Sequence, residues 1–265
     1  MTPDTVTSDL HGQVAIVTGG GSGIGRATCF ALSRLGVQVV VTDVSQAGID
    51  ATVADLQRAP GQAVGVRADV SDASDMDQLA SHVLDRFERI DILVACAGII
   101  RPPGSSPTPV VSLPVDHWDR IIAVNLRGTF LSNRAVLKPM ISRRRGQILN
   151  VSSVFGLHGK AFDNAYCASK AAIIGLTEAL AEEVARHGVR VQALLPDSVD
   201  TPIWQQNPIP RAAPALPAQR VGDFIAYLLE RPEDCVLMNP VIAPFSPRRR
   251  AGVGRRDPGR DEGVA

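Results

Sequence analysis

The stretch from Val14 to Asp43 constrains the fold more than any other part of the chain. Val14–Val17 is a short apolar run with strand character. It leads into Thr18-Gly19-Gly20-Gly21-Ser22-Gly23-Ile24-Gly25, and a helical pattern follows from Arg26 to Leu35. Gln38–Thr42 is a second, β-branched run that ends at Asp43. Strand, glycine-rich turn, helix and strand make a βαβ unit, which joins two parallel strands with a fixed hand. Glycines in such a turn let the backbone approach a pyrophosphate, and the helix start behind them offers free N–H groups and the positive end of its dipole. The spacing is Gly19-x-x-x-Gly23-x-Gly25 rather than G-x-G-x-x-G. The context is still that of a dinucleotide site, with a carboxylate about twenty residues on at the end of the next strand. Asp43 is placed to accept hydrogen bonds from adenosine ribose hydroxyls and to repel a 2′-phosphate. No Arg or Lys stands at Val44 or within Gly19–Gly25, so NAD is expected over NADP.

The alternation then repeats. Ala47–Ala59 reads as a helix and Ala63–Ala68 as a strand, followed by Asp69-Val70. Asp72–Arg89 reads as a helix capped by Ser71, and Ile92–Ala95 as a fourth strand leading into Cys96-Ala97-Gly98. A Pro-rich loop from Arg101 to Pro114 precedes one long helix over roughly Val115 to Arg143, which Pro139 is expected to end or kink. Gln147–Val151 and Arg190–Leu195 are further strands, separated by a helix from about Asn164 to His187 with Gly188 behind it. Such alternation over nearly 200 residues predicts an α/β fold, a doubly wound parallel sheet with helices on both faces, in a single domain. The domain is expected over 12–246, with a flexible N-terminus over 1–11 and a Pro-rich substrate loop at about 197–218. Arg220–Leu229 reads as a short helix and Val236–Ala243 as a last strand. The Arg/Gly/Pro-rich tail over 247–265 cannot bury a core and is expected to be disordered.

Composition excludes several classes. Hydrophobic residues make up 45% and charged residues 20%, with zero net charge, so nothing points to nucleic acid as a partner. No apolar run approaches the roughly 20 residues of a membrane span, and the short polar N-terminus shows no signal-peptide pattern. Cys29, Cys96, Cys167 and Cys235 form no C-x-x-C pair and read as reduced, mostly buried thiols of a cytoplasmic protein. No His/Cys/Asp/Glu grouping has metal-ligand spacing, so no metal is expected.

Of the 27 basic residues only Lys138, Lys160 and Lys170 are lysines, and the chain has two tyrosines, Tyr166 and Tyr227. Tyr166 and Lys170 stand four apart, on one face of a predicted helix, with Ser153 upstream. An ammonium beside a phenol favours the phenolate, lowering a pKa that is otherwise about 10 and making the tyrosine an acid or base near neutral pH. A serine hydroxyl alongside can bond the same substrate oxygen.

Thr18-Gly19-x-x-x-Gly23-Ile24-Gly25, Asp69-Val70, Ala97-Gly98, Asn125, Ser153, Tyr166-x-x-x-Lys170 and Pro196…Thr201 together resemble the short-chain dehydrogenases/reductases, which have a Rossmann fold. The resemblance covers roughly Gly12 to Pro202 and, more loosely, runs on to about Ala243. It implies a catalytic tetrad. Tyr166 would be the acid/base, Lys170 would lower its pKa and hold the nicotinamide ribose, and Ser153 would orient the substrate oxygen. Asn125 would bind a water through the long helix and relay protons from Lys170. The cofactor would contact Gly19, Ser22, Gly23, Ile24, Gly25 and Asp43, with Asp69 and Val70 flanking the adenine. Ala97 and Gly98 would lie against it, and Thr201 would bind the carboxamide. Phe155, His158, Lys160 and Asp163 lie where the family lines its substrate pocket, and Trp204, Gln205 and Gln206 follow on the lid. Two positions depart from the family. Asn-Asn-Ala-Gly reads Ala95-Cys96-Ala97-Gly98, which puts local stability in question, and Pro-Gly reads Pro196-Asp197.

These readings lead to one main expectation: an NAD-dependent oxidoreductase interconverting a secondary alcohol, such as a polyol, sugar or cyclic alcohol, and its ketone or lactone. A 3-oxoacyl-type ketoreductase is the alternative enzyme, and a catalytically silent NAD(H)-sensing regulator the alternative of another class. The family suggests a homo-dimer or homo-tetramer acting on a small molecule.

Overall fold

The computed structural model describes residues 9–206 and 214–245. The flexible N-terminus is expected mostly on residues outside that set, although Leu10 is buried in the core. The tail over 247–265 and part of the substrate loop also lie outside the described residues.

The strands are β1 (Val14–Thr18), β2 (Gln38–Asp43), β3 (Ala63–Arg67), β4 (Ile92–Ala95), β5 (Gly146–Val151), β6 (Val189–Pro196), β7 (Val199–Asp200), β8 (Leu216–Pro217) and β9 (Val241–Ile242). The helices are α1 (Gly23–Arg34), α2 (Gln46–Leu56), α3 (Ala73–Phe87), α4 (Val115–Ile122), α5 (Gly128–Arg143), α6 (Asn164–Val184) and α7 (Ala218–Leu229). A seven-stranded sheet runs in the order β3-β2-β1-β4-β5-β6-β9, while β7 and β8 form a separate pair. Every pairing in the large sheet is parallel. The expected doubly wound α/β sheet is therefore present.

Two cores explain why the central strands are continuous apolar runs. Ala15, Val17, Val39, Val41, Ile92 and Val94 pack on one face with α1 and α7. Val14, Ile16, Val40, Leu93 and Ile148 pack on the other with α3 and α5. Neighbouring residues of a strand point to opposite faces, so a strand covered on both sides must be apolar throughout.

Four local expectations need correction. The helix over 115–143 is interrupted by a π turn at Ala123–Arg127, which holds Asn125. Pro139 lies inside α5, which continues to Arg143. Asp72, not Ser71, caps α3 by accepting from Ser74 and Asp75 N–H. Ser71 is already committed, its N–H and hydroxyl both donating to Asp69. The last strand covers only Val241–Ile242, because Asn239 takes a left-handed φ of 48° and Pro240 has no N–H to give. Of the four free cysteines, Cys29 is buried, Cys96 and Cys167 are partly buried and Cys235 is exposed, so the expectation of mostly buried thiols is only partly met.

Candidate active site

Strand order reverses between β1 and β4, and in open α/β sheets that crevice, beyond the carboxyl ends of the strands, is where ligands bind. A cavity of about 290 Å³ opens there.

The glycine turn forms one wall. Gly19 has φ +69°, and a Cβ on Gly25 would lie 2.2 Å from the Gly19 carbonyl oxygen, so the turn closes only with glycine at both places. Ser22 occupies the N-cap of α1 without making a side-chain cap bond, so no side chain of its own cap takes the first-turn N–H groups. Asp43 is tied to the turn: Oδ2 accepts from Gly21 N–H at 3.1 Å and Oδ1 from Ser45 N–H at 3.0 Å. Gly19, Ser22, Gly23, Ile24, Gly25 and Asp43 all line the cavity.

Asp69 and Val70 line the same cavity beside Arg120, which sequence reasoning missed. Arg120 donates to Ser71 Oγ at 3.2 Å and reaches Asp69 Oδ2 at 3.5 Å. Burial alone would raise the Asp69 pKa, but hydrogen bonds from Ser71 and the Arg120 guanidinium outweigh it and hold the carboxyl below its ordinary range. Nothing in local spacing marks Arg120, because its partners lie about fifty residues away.

The catalytic candidates form the other wall. Ser153 stands just after β5; its Oγ donates to the Pro196 carbonyl at 3.4 Å and accepts from Phe155 N–H at 3.2 Å. Tyr166 and Lys170 share a face of α6, with Lys170 Nζ 5.6 Å from the tyrosine ring centre. Lys170 is buried and donates to the Val151 carbonyl at 2.8 Å. The expected phenolate-favouring environment is not found here. Burial pushes the Tyr166 phenol up to about 12 against a hydrogen bond with Ser153, while burial lowers Lys170 to about 8. Desolvation disfavours the charged form of both groups and is the largest cause of each shift.

Asn125 is fully buried behind this wall. Its Oδ1 accepts from Ile99 N–H at 2.8 Å, and its Nδ2 donates to the Ile99 carbonyl at 2.9 Å and to Ser169 Oγ at 3.0 Å. A Cβ on Gly98 would lie 3.3 Å from Asn125 Oδ1 and 3.6 Å from Lys170 Nζ, so the three positions are close neighbours. Ala97, Gly98 and Thr201 line the cavity, and Thr201 packs against Gly23.

Of the substrate-side residues, Phe155, Asp163 and Trp204 line the cavity. His158 is exposed and sits edge-on to Phe155, outside the cavity wall. Lys160 also stands behind the wall, with Nζ 5.2 Å from the ring centres of both Phe155 and Trp204. Trp204 is fixed by an N–H bond to the Val199 carbonyl at 2.8 Å. The side chains of Gln205 and Gln206 lie outside the described residues. Among the described residues, no helix is long and apolar enough to cross a membrane.

Comparison with known proteins agrees with this geometry. The sequence model of the family described as short chain dehydrogenase matches residues 13–211. A 3-oxoacyl-[acyl-carrier-protein] reductase of Synechocystis sp. is 38% identical over 214 residues, covering 80% of this chain and 85% of the relative. Levodione reductase of Leifsonia aquatica is 34% identical over 258 residues, covering 90% of this chain and 94% of the relative. A crystal structure of levodione reductase superposes with a TM-score of 0.79 at 30% identity, covering 88% of this chain and 96% of the other. The chain belongs to the short chain dehydrogenase family and is an oxidoreductase of that family.

Proposed function

We propose that this protein interconverts a secondary alcohol and its ketone, with NAD as cofactor and Tyr166 as the acid/base. The observation that carries the reading is a single cavity in which the glycine turn and Asp43 face Ser153, Tyr166 and Lys170. The residues present fit a dinucleotide. The turn closes too tightly for any side chain at Gly25, the α1 terminus lacks a side-chain cap, and Asp43 sits beside the turn where a ribose would lie. Gly19, Ser22, Gly23, Ile24 and Gly25 would hold the pyrophosphate, Asp43 the adenosine ribose, Asp69 and Val70 the adenine. Ala97, Gly98, Lys170 and Thr201 would hold the nicotinamide end. When bound, the nicotinamide supplies or takes up the hydride.

The chain's own part is the proton and the alignment. In oxidation the Tyr166 phenolate oxygen accepts the hydroxyl proton as the carbinol C–H bond is broken; in reduction the phenol donates it to the carbonyl oxygen. Ser153 Oγ bonds the same substrate oxygen and fixes its distance from Tyr166. Lys170 holds its charge close to the phenol, and Asn125 keeps α6 against the loop after β4, on the route by which Lys170 exchanges protons. Phe155, Asp163 and Trp204 bound the substrate end.

Tyr166→Phe tests the reading. Turnover of a secondary-alcohol panel with NAD is expected to fall at least about a hundredfold, with NAD binding by calorimetry nearly unchanged. A variant that keeps most of its turnover refutes it. The names of the relatives favour a second reading, reduction of a 3-oxoacyl thioester. Faster turnover of such a thioester with NADPH than of any alcohol with NAD decides for it. The family's habit of oligomerising extends the proposal to a homo-dimer or homo-tetramer, which light scattering in solution measures.

A further inference from the structure

Asp163 occupies the N-cap of α6, three residues before Tyr166, yet its carboxylate does not cap the helix. The side chain is 4% exposed and is held by two cations. Arg101, in the loop after β4 and itself buried, donates to Asp163 Oδ1. Lys160 Nζ lies 3.1 Å from Oδ2. An aspartate at this position ordinarily accepts from its own first-turn N–H groups. Here it gives up that role, and the ion pair fastens the loop after β4 to the turn that carries Tyr166.

We infer that Arg101 and Lys160 are positioning residues for the reaction: by neutralising Asp163 beside Tyr166 they set the acidity of the phenol and hold the first turn of α6 in line with Ser153. The inference rests on the acid/base reading of Tyr166. The groups that face Tyr166 are Asp163, Cys167 and Lys170 of its own segment, Cys96 after β4 and Ser153 after β5. Asp197 after β6 lines the same cavity. Asp163 in turn faces Arg101, Lys160 and Cys167. Its negative charge pushes the Tyr166 pKa up. A carboxylate stripped of its cations pushes harder, and an asparagine does not push at all.

The test is the pH profile of kcat/KM for alcohol oxidation with NAD. Arg101→Met is expected to move the rising limb to higher pH by about one unit, and Lys160→Met, whose side chain is partly exposed, to move it the same way by less. Asp163→Asn is expected to move it to lower pH. In Asp163→Asn, adding Arg101→Met removes the cation left unpaired and is expected to bring the limb back towards its wild-type position. If Arg101→Met does not fold, the opposite shifts of Lys160→Met and Asp163→Asn carry the test. Rates that fall evenly at all pH values, with the limb fixed in Lys160→Met and Asp163→Asn, overturn the inference and mark the cluster as merely structural. Tyr166→Phe separates the two levels. If it abolishes turnover, the acid/base reading stands whatever the cluster variants do; if turnover survives, both fall.

Discussion

Lys170→Met is expected to make the protein more stable at neutral pH while removing its activity. The lysine is 5% exposed, and burial lowers its pKa from 10.5 to about 8. The folded chain therefore binds a proton less readily than the unfolded chain. Below about pH 8 both states are protonated and the folded state carries the full penalty, about 3 kcal/mol at 1.36 kcal/mol per pKa unit. Between about 8 and 10.5 the unfolded state holds more protons, so wild-type stability rises with pH through that window. Methionine has nearly the same length and no charge to desolvate. Its cost is the Nζ bond to the Val151 carbonyl, about 1 kcal/mol. The balance at pH 7 is a gain of about 2 kcal/mol, or about 4–8 °C in Tm for a chain of this size.

Urea unfolding of wild type and variant at pH 7 and pH 10 measures this. The gap should close towards pH 10, where the wild-type penalty is nearly gone. Since other groups titrate alike in both proteins, only the difference between them matters. A Lys170→Met protein that is less stable at pH 7, or whose gap does not change with pH, refutes the argument. If it holds, the buried ammonium is a charge kept for chemistry at the expense of stability.

Three further outcomes follow from the geometry. Gly25→Ala puts a Cβ 2.2 Å from the Gly19 carbonyl oxygen, so it should cost about 1–3 kcal/mol or more in urea unfolding and abolish dinucleotide binding. Asp43→Ala should narrow the preference for NAD over NADP, and should weaken both by freeing Gly21 N–H from its acceptor; an unchanged ratio of Kd values sinks the role given to Asp43. With Tyr166 pushed up to about 12 in the cofactor-free chain, alcohol oxidation should keep rising with pH above neutrality, since the base form is what accepts the proton. Ketone reduction needs the phenol, which stays protonated well below about pH 12, so it should be nearly flat over the same range; an oxidation rate already flat at pH 7 contradicts this.

The sheet was legible because its strands are buried on both faces. A strand such as β1 or β4 must then be an unbroken apolar run, and β4 lies where the pattern puts it, at Ile92–Ala95. The glycine turn was legible for a related reason: only glycine closes it. Long-range pairings were not. Ser71 and Asp72 are equally good caps by residue type, and only Asp69, which captures Ser71, decides between them. The π turn at Asn125 was not legible, since it changes the winding inside a run that is helical on both sides. Arg101 finds Asp163 across 62 residues, and Arg120 finds Ser71 across 49. The expected Lys170 effect on Tyr166 took account of charge but not burial, and burial is a property of the packed chain.

The departure at Cys96 shows how the fold holds the site without the residue the family usually places there. Asparagine at that position would tie central strands through its side chain. Here Thr18 Oγ1, at the end of β1, accepts from Cys96 N–H at 3.1 Å and from Ala97 N–H at 3.3 Å. The tie between β1 and the end of β4 uses backbone donors, so position 96 needs no polar side chain. Burial pushes the thiol up to about 12, which leaves it protonated and unreactive. Two residues further, Ile99 is clamped by both atoms of the Asn125 amide, which also reaches Ser169 on α6. Two residues beyond that, Arg101 holds Asp163 at the start of the same helix. The loop after β4 is thus fastened first to the strand that feeds the glycine turn and then twice to the helix that carries Tyr166 and Lys170. Six consecutive residues, Cys96 to Arg101, brace the cofactor wall against the acid/base, and loss of any one tie leaves the other two in place.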